Sequence, residues 1–251
     1  MKHEKKEYID GIFNYCDRWC EKCTFTSNCR LFSNESKIYT YEILSDSKLP
    51  DSEEIIKQGL KDFEEIEDVF KDFEFEDELD LYEEEEEEII ASLSKEKKEY
   101  EIEKLSKIYS DKAHLFLKSL DNKFILSNAD YKKKEEPKIR LVYENFEIVS
   151  WYHMFIMVKI KRAIGGKGEL KIGMDEFDNE ISSYDMNGSS KIAAIGIKES
   201  QKALNNLLSL VKEYSSEIED MLVLLGKILN CINQEFPDYN KFKRPGFDTE
   251  N

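Results

Sequence analysis

Residues 137–164 read PKIRLVYENFEIVSWYHMFIMVKIKRAI. The stretch opens on a proline, which suits a first helical position because its ring presets φ and its missing N–H is not needed there. No glycine and no further proline interrupts it. Leu141, Val142, Phe146, Ile148, Val149, Trp151, Phe155, Ile156, Val158 and Ile160 place apolar side chains on nearly every side of such a helix. A helix apolar all round has to be buried by neighbours all round. This stretch therefore predicts the centre of a helical bundle.

Three more helical patterns flank it. One runs from about Ser94 to Leu120, with a seam of Leu105, Ile108, Tyr109, Phe116 and Leu120. Another is expected from about Ser189 to Tyr214, carrying Ile192, Ile195, Leu204, Leu207, Leu208 and Val211. The last begins at Ser216, where Glu219 three residues on completes a capping box. It carries Ile218, Met221, Leu222, Leu225, Ile228, Leu229 and Ile232. Alternating strand patterns are scarce, so the fold class expected is all-α, a bundle of about four core helices over 94–251. Gly165, Gly166, Gly168, Gly173 and Gly188 fall close together and predict a long crossover loop ending at Asn187-Gly188, with a short hairpin at Glu169–Ile172.

The chain has 251 residues, 54 acidic and 37 basic side chains, and a net charge of -17. The acid excess is local. Residues 51–103 hold 24 Asp or Glu against 6 Lys, a net of -18, so the remainder carries +1. Within that tract Ile55, Ile56, Leu60, Phe63, Ile66, Val69, Phe70 and Phe73 recur at helical spacing, giving an acidic helical segment or linker over 41–93. Residues 51–103 are a candidate surface for a protein partner. The charge argues against a nucleic-acid binder driven by bulk electrostatics. With no apolar run long enough for a membrane span and no visible signal peptide, a cytoplasmic protein is expected.

Four of the five cysteines lie within YCDRWCEKCTFTSNC, at Cys16, Cys20, Cys23 and Cys29. Tyr8, Ile9, Ile12 and Phe13 suggest an amphipathic helix that puts Cys16 and Cys20 on one face. Four soft thiolate donors in so few residues suit one metal site, making residues 1–40 a metal-binding module. Disulfides or ordinary buried cysteines are the plain alternative, disfavoured in a reducing compartment. One dense run of cysteines favours a [4Fe-4S] cluster, with zinc as the alternative. Cys231 reads as a small buried hydrophobe.

Other polar residues form weaker candidates. Glu144, Glu147 and His153 lie on the otherwise apolar helix after Pro137 and would line a polar pocket if the bundle encloses them; a structural ion-pair network with Arg140, Lys161 and Arg162 is the plainer reading. Ser189, Ser190 and Lys191, at the expected start of a helix after Gly188, would offer backbone N–H groups and a cation to an anion; ordinary capping is the plainer reading. Asp111-x-x-His114 is the nearest approach to a di-iron motif, but no second histidine-bearing helix matches it.

The spacing at Cys20, Cys23 and Cys29 resembles the cluster loop of the endonuclease III and adenine glycosylase family. The chain has no helix-hairpin-helix glycine motif and is acidic where those enzymes are basic, so their DNA-repair activity does not carry over. Cys16, Cys20 and Cys23 are similar to the C-x3-C-x2-C of radical-SAM enzymes, whose alternating strands and helices are absent here. YCDRWCEKC-FTSNC, NGSSKIAAI at 187–195 and RPGFD at 244–248 together resemble an uncharacterised family of bacterial helical proteins, which implies no reaction. Three functions are thus expected in turn: a metal protein with a redox, sensing or regulatory role, a zinc-stapled interaction scaffold, or an enzyme with a polar pocket in the bundle.

Overall fold

A computed structural model describes residues 7–36, 100–121, 137–172 and 176–248. The expected acidic segment 41–93 and nearly all of the candidate partner surface 51–103 lie outside the described residues. The chain divides into two compact units, one of Met1–Ile9 with Cys20–Lys97 and the other of Asp10–Trp19 with Lys98–Asn251. Residues 10–19, expected within the cysteine module, thus belong to the unit that contains the bundle.

The second unit is all-α. Its long helices are α1 (Glu101–Leu120), α2 (Pro137–Ile172), α3 (Glu176–Leu210) and α4 (Ser215–Glu235), and there is no strand among the described residues. They run up, down, up and down. Ser119 near the end of α1 meets Tyr214 just before α4. Lys167 near the end of α2 meets Glu235 at the end of α4. Met186 early in α3 lies against Gly166 late in α2. The core draws on all four helices, with Tyr109, Leu120, Val149, Ile156, Ile160, Ile197, Leu204, Leu225 and Ile228 fully buried. Short connections between antiparallel neighbours are what a bundle of this topology needs.

Several sequence expectations are corrected here. The glycine-rich stretch is not a crossover loop: Gly165, Gly166 and Gly168 continue α2, Gly188 lies inside α3, and residues 169–172 are helical rather than a hairpin. α3 therefore begins at Glu176, well before Ser189. Three of the glycines are points of close approach. A Cβ on Gly196 would lie 2.9 Å from Cδ1 of Tyr152, and one on Gly166 would lie 3.0 Å from the Ser182 carbonyl oxygen. One on Gly188 would lie 2.3 Å from Cε1 of Tyr15, well inside van der Waals contact. Gly is the residue that lets two helices, or a helix and a ring, come this near.

α1 starts at Glu101 after an extended Tyr100. α4 starts at Ser215 with no side-chain cap, so Ser216 and Glu219 form no capping box. α2 is not buried all round: Leu141, Met154 and Val158 are exposed while Val142, Val149, Tyr152 and Ile156 are buried. Four helices in one layer around a core can cover only one side of each. Ile108, placed in the α1 seam by its spacing, is on the rim for the same reason.

Candidate functional site

The described part of the first unit is a tight loop that carries three of the four clustered cysteines. Ile9 N–H donates to the Asn28 carbonyl (3.0 Å) and Asn28 Nδ2 donates to the Glu7 carbonyl (3.1 Å), closing the loop on residues 7–9. Tyr8 Oη donates to Ser33 Oγ at 3.2 Å. Cys20 opens a 3-10 turn, Cys20–Lys22, and its carbonyl accepts the Cys23 N–H. The Phe25 N–H donates to Cys23 Sγ at 3.4 Å. Cys29 stands where a helix over 30–36 begins, because its carbonyl accepts the Ser33 N–H. Its Sγ accepts the Phe32 N–H at 3.4 Å, the place a serine or aspartate oxygen takes in an ordinary N-cap.

None of the five cysteines forms a disulfide, and all are half-buried. Cys231 packs at the edge of the core rather than inside it, and burial pushes its thiol up. Cys16 lies in the other unit and donates its thiol to the Phe13 carbonyl. The helix expected to align Cys16 with Cys20 is absent: residues 10–16 form turns and bends, and Gly11 (φ 70°) and Arg18 (φ 61°) are left-handed. A left-handed residue ends any helical register. Among the described residues no three His, Cys, Asp or Glu side chains stand together as a metal-holding group. As a donor set the cysteines suit a soft metal, since none is held in a disulfide and in two cases the sulfur already receives a backbone N–H group. An ion that binds thiolates also gathers them, so such a quartet is coupled to its metal.

Residues 10–19 fasten to α2 and α3. Asp17 Oδ2 accepts the Tyr152 hydroxyl at 2.7 Å and the Asp17 carbonyl accepts Trp151 Nε1–H at 2.9 Å. Trp19 stacks on Trp151 with centroids 5.1 Å apart. Tyr15 is buried over Gly188 and donates to Asp185 Oδ1 at 3.2 Å. Arg162 grips the same Asp185 carboxylate with Nε (2.7 Å) and a terminal nitrogen (2.6 Å). Burial and the neighbouring carboxylates hold the Tyr15 and Tyr152 phenols well above the ordinary tyrosine range. Burial and the nearby Arg162 lower the Lys159 ammonium, which donates to the Asn14 carbonyl.

The closing segment 236–248 crosses the same region. Phe242 packs edge-on to Tyr15, with centroids 4.7 Å apart, and against Tyr184 at 4.6 Å. Asp248 takes Lys191 (2.7 Å) and Arg244 (3.0 Å). Burial pushes the Asp248 carboxyl up, but the hydrogen bonds from Arg244 and Lys191 outweigh it and hold the group well below the usual range. Tyr15 of YCDRWC thus meets Gly188 of NGSSKIAAI, and Asp248 of RPGFD pairs with Lys191 of the same stretch. Their periodicity carries no sign of this.

That arrangement overturns the anion site. Ser189 and Ser190 are fully buried inside α3 and offer no free helix start. Ser190 Oγ donates back to the Met186 carbonyl at 2.6 Å, and Lys191 is engaged by the Phe242 carbonyl and Asp248. Nor does the bundle gather the proposed polar pocket. Glu144 is exposed and paired with Arg140, Glu147 is exposed, and His153 is buried elsewhere on α2. His153 Nδ1 lies 2.7 Å from the Ser150 carbonyl and its ring stacks on His114 with centroids 6.1 Å apart. Burial first, then repulsion from His114, lowers the His153 pKa. The strip facing water removes the enzyme reading that rested on it.

One cavity was missed by sequence reasoning. An open groove of about 990 Å³ lies between the first half of α3 and the closing segment. Glu176, Glu180, Tyr184 and Asn187 form its α3 wall, and Asp238, Phe242 and Lys243 contribute from the other side. Their four-residue and three-residue steps on α3 were hidden because that region reads as loop from its glycines. No family model, curated protein or solved structure matches the chain. No helix among the described residues is long and apolar enough to cross a membrane.

Proposed function

We propose that Cys16, Cys20, Cys23 and Cys29 hold one metal centre, a [4Fe-4S] cluster, and that the protein has a redox, sensing or regulatory role with the helical bundle as its docking body. The observation that carries the reading is the cysteine loop itself: a dense C-x3-C-x2-C-x5-C run in which the sulfurs of Cys23 and Cys29 accept backbone N–H groups. Hydrogen bonds of this kind suit the negative sulfur of a metal-bound cysteinate and tune a cluster's potential. The second reading is a zinc ion acting as a staple for an interaction scaffold, favoured by the short 3-10 turn between Cys20 and Cys23.

Anaerobic purification with metal and sulfide analysis tests both. A brown protein with iron and acid-labile sulfide in equal amounts, both lost in Cys23→Ser and Cys29→Ser, is the expected result. A colourless protein holding one zinc through the same cysteines selects the staple. Intact chain that binds neither metal sinks the metal reading altogether.

A further inference from the structure

We propose that His114 on α1 and His153 on α2 form a binding site for a borderline divalent metal cation of the zinc type, which ties the two helices together. This proposal lies within the bundle unit and does not depend on a metal at the cysteines.

The first observation is the pair itself. The chain has three histidines, and two of them meet across the α1–α2 contact with ring centroids 6.1 Å apart and planes 23° from parallel. A metal about 2.0–2.1 Å from one nitrogen of each ring sets the centroids about 5–6.5 Å apart, depending on the angle at the metal. The observed spacing falls in that range. His114 is exposed and makes no hydrogen bond among the described residues, so its ring can turn a nitrogen toward the ion.

The second observation is the tautomer of His153. Its Nδ1 lies 2.7 Å from the Ser150 carbonyl oxygen, which can only accept, so Nδ1 carries the proton and Nε2 the lone pair. A ring N–H donated to a backbone carbonyl is the support that metal-binding histidines regularly have, because it fixes the ring and makes the other nitrogen more basic. Nε2 has no hydrogen-bond partner, yet it is not one of the sealed unpaired atoms among the described residues, which are Tyr109 Oη, Asn187 Oδ1, Ser189 Oγ and Ser200 Oγ. It therefore meets solvent, although the residue as a whole is only 9 % exposed. Burial lowers the His153 pKa, so the imidazole is neutral and its lone pair available at neutral pH.

The donors define the ion. Imidazole nitrogen suits zinc, copper and nickel, whereas calcium and magnesium take oxygen. Asp111, one turn before His114, is exposed and paired with Lys107 at 2.9 Å. Met154, next to His153, accepts the Ser110 hydroxyl at its sulfur at 3.2 Å. The protein thus supplies two nitrogens and water fills the remaining positions, which makes the site open and weaker than a four-ligand structural site.

Nitrogen-15 magnetic resonance of the histidine rings in the whole chain, titrated with zinc chloride, tests this, with His3 as the internal control. Zinc taken up by thiolates does not shift a ring nitrogen, so a metal at the cysteines is read separately. The expected result is a coordination shift at Nε2 of His153 and at one nitrogen of His114, the two saturating together while His3 stays in place. His114→Gln, at an exposed position, is expected to weaken zinc at His153 by about tenfold or more, at least what losing a supporting hydrogen bond costs a metal site, with the rest of the spectrum unchanged. A His153 shift that survives in His114→Gln at the same zinc concentration overturns the proposal. So does a shift at only one of the two rings, or at neither with millimolar zinc. Movement of all three histidines over one concentration range marks unspecific binding and overturns it as well.

Discussion

Single side chains decide how the segment carrying Cys16 is held. Asp17 receives the Tyr152 hydroxyl and Tyr15 donates to Asp185, so both residues next to Cys16 are anchored to the bundle. Tyr152→Phe is expected to lower stability by about 1–3 kcal/mol, the range for a hydrogen bond to a charged acceptor, read as a shift in the urea midpoint. An unchanged midpoint would remove that bond as an anchor. Tyrosine also sets an alkaline limit. Burial pushes Tyr109 up to about 12, and Tyr15 and Tyr152 are raised further. A phenol whose pKa is raised on folding binds its proton more tightly in the native state, so its contribution is complete below the ordinary value near about 10 and is lost as pH climbs through the folded value. The urea midpoint is expected to hold up to about pH 10 and fall above it. Tyr109→Phe, which removes a buried hydroxyl with no geometrically sound partner, is expected to leave neutral-pH stability nearly unchanged and to soften the alkaline fall.

At the scale of the helices, glycine is the lesson. Read along the chain, glycines mark breaks, and by that rule residues 165–188 become a loop. In the structure Gly165, Gly166, Gly168 and Gly188 lie within two long helices, and their role depends on what stands opposite. Gly196 faces Tyr152, Gly166 faces α3 and Gly188 receives Tyr15, whereas Gly165 and Gly168 meet nothing within 4 Å. The two classes predict opposite signs. Gly165→Ala is expected to raise stability by about 0.5–1 kcal/mol, because alanine loses less backbone entropy in a helix and has room here. Gly196→Ala is expected to lower it by about 1–3 kcal/mol, since the added methyl overlaps the Tyr152 ring. Thermal melts of the two variants check both signs at once; two falls of similar size would mean that α2 does not continue through Gly165. The other helical expectations show how far periodicity reaches. The α4 pattern from Ile218 to Ile232 marks its buried face well, because a regular amphipathic stripe reflects one packed side. The α2 pattern overstates its burial, because Leu141, Met154 and Val158 are apolar residues that face outward.

Across the whole bundle unit, two distant chain segments stabilise each other. Residues 10–19 and 236–248 meet over Gly188, where Tyr15 and Phe242 touch, and Asp248 locks the second segment to α3 through Lys191. Asp248→Asn is expected to release the closing segment and, through the lost support of Phe242, to speed amide hydrogen exchange in residues 10–19 as well. Faster exchange confined to 240–248 would show that the two segments are held separately. Asp248 also sets an acid limit: its carboxyl is depressed by Arg244 and Lys191, so its contribution is present above the ordinary carboxylate range near about 4 and is lost as pH falls below it through the folded value.

By itself, the sequence determined the all-α class, the helices around residues 101–120, 137–164 and 215–235, the cysteines available as soft donors and the confinement of acid to one tract. Each of these follows from composition or from periodicity over a few turns, and local patterns carry that information. Only the tertiary structure decided that Lys191 pairs with Asp248 instead of awaiting an anion, that Glu144 and Glu147 face water, that Gly188 seats Tyr15, and that Asn187 lines a groove. These depend on residues far apart in the chain, such as Asp17 and Tyr152 with 135 positions between their numbers. A contact of that kind leaves no period to read. It exists only once the helices have packed and brought residues 10–19 and 236–248 together over α3.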